Sequence, residues 1–322
     1  MAASPNDVRR VFIQSVLSRG NGLLSEKLCK TLWKKSQEIV LSVEPDLALA
    51  DDEDWDTFLK NLNEALNPLN LQMRSMPDET TGRFVFSMVN CDEQGVAQLA
   101  TAYTPVEIGY FKALVEQIIL APREAYSISS LAALREVSAL KPKSNMSKTQ
   151  AEIVLSSFVA NGWLLRSRRG RYSLSPRSLL ELDRYIKSTY GKDILHECSY
   201  CLGMTTKGYA CKGPNCSIHI HAPCFTRYMA RGKHCPNSDC QIDWPNDGAE
   251  MTPIGEAAVR EGDDAKRRVR RADDASEDEE EEAVESDELE ETQDPAMDVD
   301  DKDDDEDSDT PAKKPTRGSR KK

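Results

Sequence analysis

The chain has 322 residues, 30% of them charged and 39% hydrophobic, which gives room for two or three small domains. Its formal charge of −13 is unevenly placed: Glu261 to Lys322 holds 26 acidic and 12 basic residues, while the first 260 residues hold 29 and 30. The near-neutral part does not exclude nucleic acid as a partner, whereas the lack of an apolar signal core in Met1 to Arg10 and of any ~18-residue apolar run argues against secretion and against a membrane span.

Val8, Val11, Phe12 and Val16 recur at helical spacing and Gly20 ends the run. Leu24, Leu28 and Leu32 mark a second helix. Asp54 is placed to cap a third, with Phe58, Leu59, Leu62 and Leu66 on one face. The period then changes to two: Leu69, Leu71 and Met73 alternate, Thr81-Gly82 turns, and Phe84, Phe86 and Met88 alternate back.

The same plan then repeats. Thr104, Pro105 and Glu107 spell a capping box with proline at the first helical position. Tyr110, Phe111, Leu114, Val115 and Ile118 follow as a core stripe, and Leu131 to Val137 forms a short helix. Ser147 and Gln150 open another helix through Ile153, Leu155, Phe158 and Val159. Trp163-Leu164-Leu165 and Tyr172-Ser173-Leu174 then flank an Arg168-Arg169-Gly170 turn. Helices followed by a two-stranded wing are the winged-helix plan, present twice. The fold class read here is α+β and multidomain: winged-helix domains over 7–103 and 104–192, a RING-like (variant RING or PHD-like) domain with two zinc ions over 195–245, and a disordered acidic tail over 246–322. Asp273 to Asp309 carries 23 acids and one base, too little apolar surface to offset the entropy of ordering.

Seven of the nine cysteines lie between positions 198 and 240. In a reducing compartment such a cluster reads as metal ligation rather than disulfides, while Cys29 and Cys91 read as buried core thiols. The ligand order is Cys198, Cys201, Cys211, Cys216, His221, Cys224, Cys235, Cys240. Zinc takes four tetrahedral thiolate or imidazole ligands, and a closely spaced pair lets one backbone knuckle supply two. Interleaving puts Cys198, Cys201, His221 and Cys224 on one ion and Cys211, Cys216, Cys235 and Cys240 on the other; two consecutive sites are the alternative. His219 is the rival nitrogen ligand, and His196 and His234 read as surface groups or supports of the ligands. Both RING domains and PHD fingers share this order. Tyr200, Leu202, Ile220, Pro236 and Trp244 are the candidate apolar platform for a ubiquitin-conjugating enzyme, and the short Cys224–Cys235 interval favours RING.

Val8 to Gln14, Leu62-Asn63, Thr81-Gly82, Tyr103 to Phe111, the Cys216-to-Cys224 segment with its His221-Ala222-Pro223, and Trp244-Pro245 resemble, in that order, the non-structural maintenance of chromosomes element 1 family. These are the RING subunits of the SMC 5/6 complex, and the resemblance runs from about residue 7 to 245. It implies two winged helices before a RING-like domain, a MAGE-type partner, a kleisin partner, and ubiquitin ligation in DNA repair and recombination. Gln241 stands where many active RINGs carry an arginine, so the chain alone is expected to be a weak ligase.

Lys141 to Lys192 holds eleven basic residues against three acidic. Arg166, Arg168, Arg169 and Arg171 on the second wing are candidate DNA contacts, since phosphate binding needs only positive charge. Val8, Val11, Phe12, Tyr110 and Phe111 are candidate partner-interface residues, because the helices offer more apolar periodicity than two small domains obviously need. Lys266-Arg267-Arg268, Arg270-Arg271 and the stretch from Lys313-Lys314 to Lys322 read as nuclear-import signals. The expected protein is a nuclear RING-type ligase subunit that takes no small-molecule substrate and has no catalytic side chain; a zinc-stiffened adaptor and a PHD-like chromatin reader are the alternatives.

Overall fold

The computed structural model describes residues 4–19, 22–47, 53–91, 103–140, 145–240 and 242–269. The first unit consists of α1 (Pro5–Leu17), β1 (Leu23–Ser25), α2 (Glu26–Val43), α3 (Trp55–Leu66), β2 (Leu71–Pro77) and β3 (Phe84–Asn90). Its antiparallel sheet has the order β1-β3-β2, with Leu24 opposite Phe86 and Met73 opposite Met88. Leu24 was expected in a helix and instead lies in this strand. Ser25 ends the strand and caps α2 by accepting a hydrogen bond from the Leu28 amide, so the helix cannot begin earlier. Asp54 caps α3 as expected, accepting from the Thr57 amide at 2.7 Å.

The second unit repeats the order with α4 (Pro105–Ile119), β4 (Ile128–Ser129), α5 (Ser130–Arg135), α6 (Lys148–Ala160), β5 (Leu164–Arg166) and β6 (Arg171–Leu174). Its sheet runs β4-β6-β5, the same arrangement as the first. Ser129 repeats the role of Ser25, closing a short strand and capping the next helix. The capping boxes at Thr104 and Ser147 both form.

Cores fill both units. Phe12, Trp33, Trp55 and Phe58 pack edge-to-face and tilted in the first. Phe158 meets Tyr103 at 4.9 Å and Phe111 at 5.0 Å in the second. This corrects the partner-interface reading: Val8, Phe12, Tyr110 and Phe111 are buried, and Val11 is half-buried against the first core. The Tyr110 hydroxyl donates to the Ala133 carbonyl inside the core. The apolar surplus is taken up by the tryptophans and by a third strand in each sheet, which the sequence reading lacked. Cys29 is buried, and burial pushes its thiol up to about 12; Cys91 is half-exposed beside Gln72 rather than in a core.

Helices α7 (Pro176–Glu181) and α8 (Asp183–Ile194) tie the units together. Arg74 on β2 meets Asp183 at 3.4 Å, and Arg184 donates to the Cys91 carbonyl at 2.7 Å. The chain then enters a zinc module built on β7 (Gly208–Ala210), β8 (His219–Ile220), α9 (Ala222–Met229) and β9 (Thr252–Ile254), in sheet order β8-β7-β9.

That last strand corrects the tail boundary. Residues 246–269 were expected to be disordered, yet β9 pairs with β7, and Met251, Ile254 and Ala258 are buried. Beyond it, Asp264 takes Arg171 at 2.6 Å and Arg268 at 2.6 Å, and Arg267 meets Glu136 at 3.0 Å. Arg267 and Arg268 are therefore committed to ion pairs within the fold rather than free as an import signal. Residues 270–322, with the acidic block and the last basic stretch, lie outside the described residues, as do Gln241, Lys141 and Lys143.

Phe158→Ala should destabilise the second unit by about 3–5 kcal/mol, the range for emptying an aromatic core position. Thr104→Ala should cost about 1 kcal/mol through the lost cap. Urea denaturation followed by circular dichroism checks both, and equal effects would contradict this core assignment.

Candidate metal centre

The first ligand group starts on a knuckle. The Cys198 amide donates to the Gly203 carbonyl and the Leu202 amide to the Cys198 carbonyl, both at 2.8 Å, which folds Cys201 back toward Cys198. Leu202 takes the left-handed φ of 61° needed to close that turn. His221 immediately precedes α9, and Cys224 lies in the first turn of that helix. The Nδ1 atom of His221 lies 3.3 Å from Cys201 Sγ and 3.9 Å from Cys224 Sγ. The hydrogen bond between the Cys198 and Cys201 side chains holds the Cys198 thiol well below and the Cys201 thiol above the usual range, and zinc takes all of its cysteine ligands as thiolates.

In the second group Cys211 Sγ lies 3.6 Å from Cys240 Sγ, and Cys216 Sγ lies 3.6 Å from Cys235 Sγ. Four sulfurs about 2.3 Å from a tetrahedral zinc would be about 3.8 Å apart, so the spacing fits. Within each group of four, all ligand atoms lie within 4.8 Å of one another. Glycine is required at 213, because a β carbon there would come within 2.4 Å of Cys240 Sγ. The pairs interleave, so of the two arrangements open to the sequence it is the cross-brace that forms. The residues present fit two zinc ions, each with four protein ligands and no open coordination position.

The remaining histidines are placed elsewhere. His219 turns away from both groups: its Nε2 meets the Glu124 carboxylate at 2.9 Å, and its ring stacks on His196 at 3.9 Å. Burial opposes charge on both partners, but their hydrogen bond outweighs it, holding Glu124 below and His219 above their ordinary ranges. Glu124, His196 and His219 form a third close group. Parallel stacked rings, however, put a shared ion well outside both ring planes, where the nitrogen lone pairs do not point. His234 pairs with Asp243 at the surface.

The five platform candidates divide. Tyr200, Leu202 and Pro236 are exposed, Leu202 to 73%. Ile220 and Trp244 are buried, which corrects their assignment to a surface platform. The Trp244 Nε1–H donates to Cys211 Sγ at 3.3 Å, and its ring stacks on Phe225. It packs the module and supports a ligand, so it is not available as a wall of an aromatic cage. On the second wing, Arg166, Arg168 and Arg169 are exposed. Arg171 is instead held by Asp264 and by the Ser127 hydroxyl and carbonyl, which removes it from the set of DNA contacts. The carboxylate Glu79, which approaches His221, had no signal in its local sequence.

Comparison with known proteins agrees with this architecture. Residues 9–182 match the family described as Nse1 non-SMC component of SMC5-6 complex, and residues 198–240 match the RING-like domain. The chain is 32% identical over 258 residues to the non-structural maintenance of chromosomes element 1 homolog of Xenopus laevis, covering 79% of this chain and 88% of that protein. It is 31% identical over 245 residues to the homolog of Homo sapiens, covering 75% and 85%. A solved chain from an Nse1-Nse3-Nse4 complex superposes with a TM-score of 0.62 at 28% identity, over 75% of this chain and 98% of that one.

Elemental analysis should find two zinc ions per chain. Cys211→Ala should lose the second ion and, because structural zinc supplies on the order of 10–16 kcal/mol of folding energy, unfold the module as far as β9. Hydrogen exchange should then rise over residues 208–210 and 252–254 while the cores of the helical units stay protected. One ion per wild-type chain would contradict the cross-brace.

Proposed function

The chain belongs to the Nse1 family, and on that footing we propose that it is the RING-type ubiquitin-ligase subunit of an SMC5-6 complex, acting in the nucleus in DNA repair and recombination. The observation that carries this reading is a closed two-zinc module with exposed apolar side chains on its metal loops. Leu202 directly follows Cys201, and Pro236 directly follows Cys235. Such a module does no bond chemistry. Its zinc ions fix the loops, and Tyr200, Leu202 and Pro236 receive a ubiquitin-conjugating enzyme, which carries the reactive thioester. Burial of Trp244 weakens the chromatin-reader alternative, which needs an open aromatic cage.

Each helical unit reads as a winged helix whose wing is the β2–β3 or β5–β6 hairpin. A solved relative stands in an Nse1-Nse3-Nse4 complex, so the partners proposed for this chain are a MAGE-type Nse3 and a kleisin Nse4. The core residues are spent, and the apolar surface left for a partner includes Ile39 and Val43. Both are exposed, and their spacing of four puts them on one face of α2. The purified pair of this chain and an Nse3-type partner should build ubiquitin chains with a conjugating enzyme. Leu202→Ala should reduce that activity about 30-fold with zinc content unchanged, as for loss of an interface hot spot worth about 2 kcal/mol. Ile39→Asp with Val43→Asp should abolish stimulation by the partner. If the zinc-loaded pair transfers no ubiquitin with a panel of conjugating enzymes, the adaptor reading replaces this one.

Arg166, Arg168 and Arg169 on the β5–β6 hairpin are proposed to contact DNA phosphates. Reversing all three to Glu should lower the log–log salt slope of duplex binding by about 0.9 per contact removed, with sequence preference unchanged. A salt titration with the partner present measures this, and an unaltered slope assigns the hairpin to protein or solvent.

A further inference from the structure

Glu79 lies at the tip of the β2–β3 hairpin in the first helical unit and is 5% exposed. Its partners are all in the zinc module. One carboxylate oxygen accepts from the Thr206 amide at 2.6 Å and the Lys207 amide at 3.3 Å, and the other accepts from the Thr206 hydroxyl. The first oxygen also lies 3.2 Å from His221 Nε2. The tip is seated closely. Gly82, at φ +66°, has Pro223 where a β carbon would come within 2.7 Å, and Arg227 donates to the Gly82 carbonyl at 3.1 Å.

A staple between two units would explain a buried carboxylate with amide donors, but not its approach to a metal ligand. His221 presents Nδ1 to the cysteine sulfurs, so zinc takes that nitrogen and the ring proton must sit on Nε2. Only two acceptors meet that proton in the described structure: the Met204 carbonyl at 3.0 Å and Glu79. A carboxylate on the far side of a ligating imidazole fixes its tautomer and orientation and raises its basicity.

We propose that Glu79 is the outer carboxylate of the first zinc site, a positioning residue supplied by the N-terminal unit, so that docking of the hairpin tip and retention of that ion are one linked equilibrium. Linkage is reciprocal: what loosens the tip weakens the ion's hold, and the loaded site holds the tip. This stands on the geometry of the zinc module and does not depend on ligase activity.

The test uses the full-length chain loaded with zinc and challenged with a chromophoric chelator, and a cobalt-substituted preparation read by its d–d bands. Glu79→Gln, which keeps the shape but removes the charge, should release one of the two ions about 10–100-fold more readily. It should shift the cobalt bands of the site that contains His221 and leave those of the all-cysteine site. Glu79→Asp withdraws the carboxylate by one methylene and should release the same ion sooner, which keeps the test decisive if the Gln variant folds poorly. Arg227→Ala loosens the same hairpin tip without touching the carboxylate, so through the linkage it should speed release of the same ion while leaving the cobalt bands unchanged. Wild-type retention and spectra in the Glu79 variants overturn the proposal. So does equal loss of both ions, or the same shift of the cobalt bands in Arg227→Ala as in Glu79→Gln, since either makes Glu79 a staple only.

Discussion

Eight ligand atoms must converge on two points within the stretch from Cys198 to Cys240, and the organisation of the C-terminal half follows from that requirement. A segment this short cannot bury enough apolar surface to hold itself folded. Its core is mostly sulfur, with Ile220, Phe225 and Trp244 packed around it. Metal ligation supplies the missing free energy, and the cross-brace makes the two sites interdependent, because the long loop between the two ligand pairs of each ion carries a ligand pair of the other.

The module also draws on the rest of the chain for support. Its sheet is completed by β9 from beyond the last cysteine. Carboxylates from both helical units reach the short stretch around β8, Glu79 to His221 and Glu124 to His219. Glu79 is buried and Glu124 half-buried, and leaving the buried carboxylate without its partners would be strongly destabilising. The three parts of residues 4–269 are therefore better described as sharing buried polar joints than as beads on a string. Under the function proposed above, with one surface for a conjugating enzyme and others for partner subunits, that rigidity keeps the surfaces in fixed relation.

How much of this could be read from the sequence depends on how local each signal is. The ligands were legible because knuckle pairs are short-range, and the boxes at Thr104 and Ser147 because a cap and its partner are three residues apart. Leu24 was misread because a three-residue strand has no period of its own and borrowed that of the helix after it. Val8, Phe12, Tyr110 and Phe111 looked like surplus apolar surface because β1 and β4, which enlarge each core, are too short to register. Glu79 was invisible in principle. An acid in a polar hairpin turn looks solvated until the residue 127 positions later is placed against it.

The return of residues 255–269 onto the second unit bears on where the chain can be cut. Arg171 is only 10% exposed and neutralised by Asp264, and Gln117 exchanges hydrogen bonds with the backbone of Arg268. A fragment ended just after Trp244-Pro245, where the ligand pattern stops, would retain every cysteine. It would nevertheless strand a guanidinium in a half-dry position, orphan an amide on α4 and strip the β7 edge of its neighbour. Such a fragment would expose an open strand edge, the kind that seeks other chains, and would precipitate for reasons unrelated to metal. The smallest well-behaved piece of this protein ends past Arg268, some way into what reads as tail.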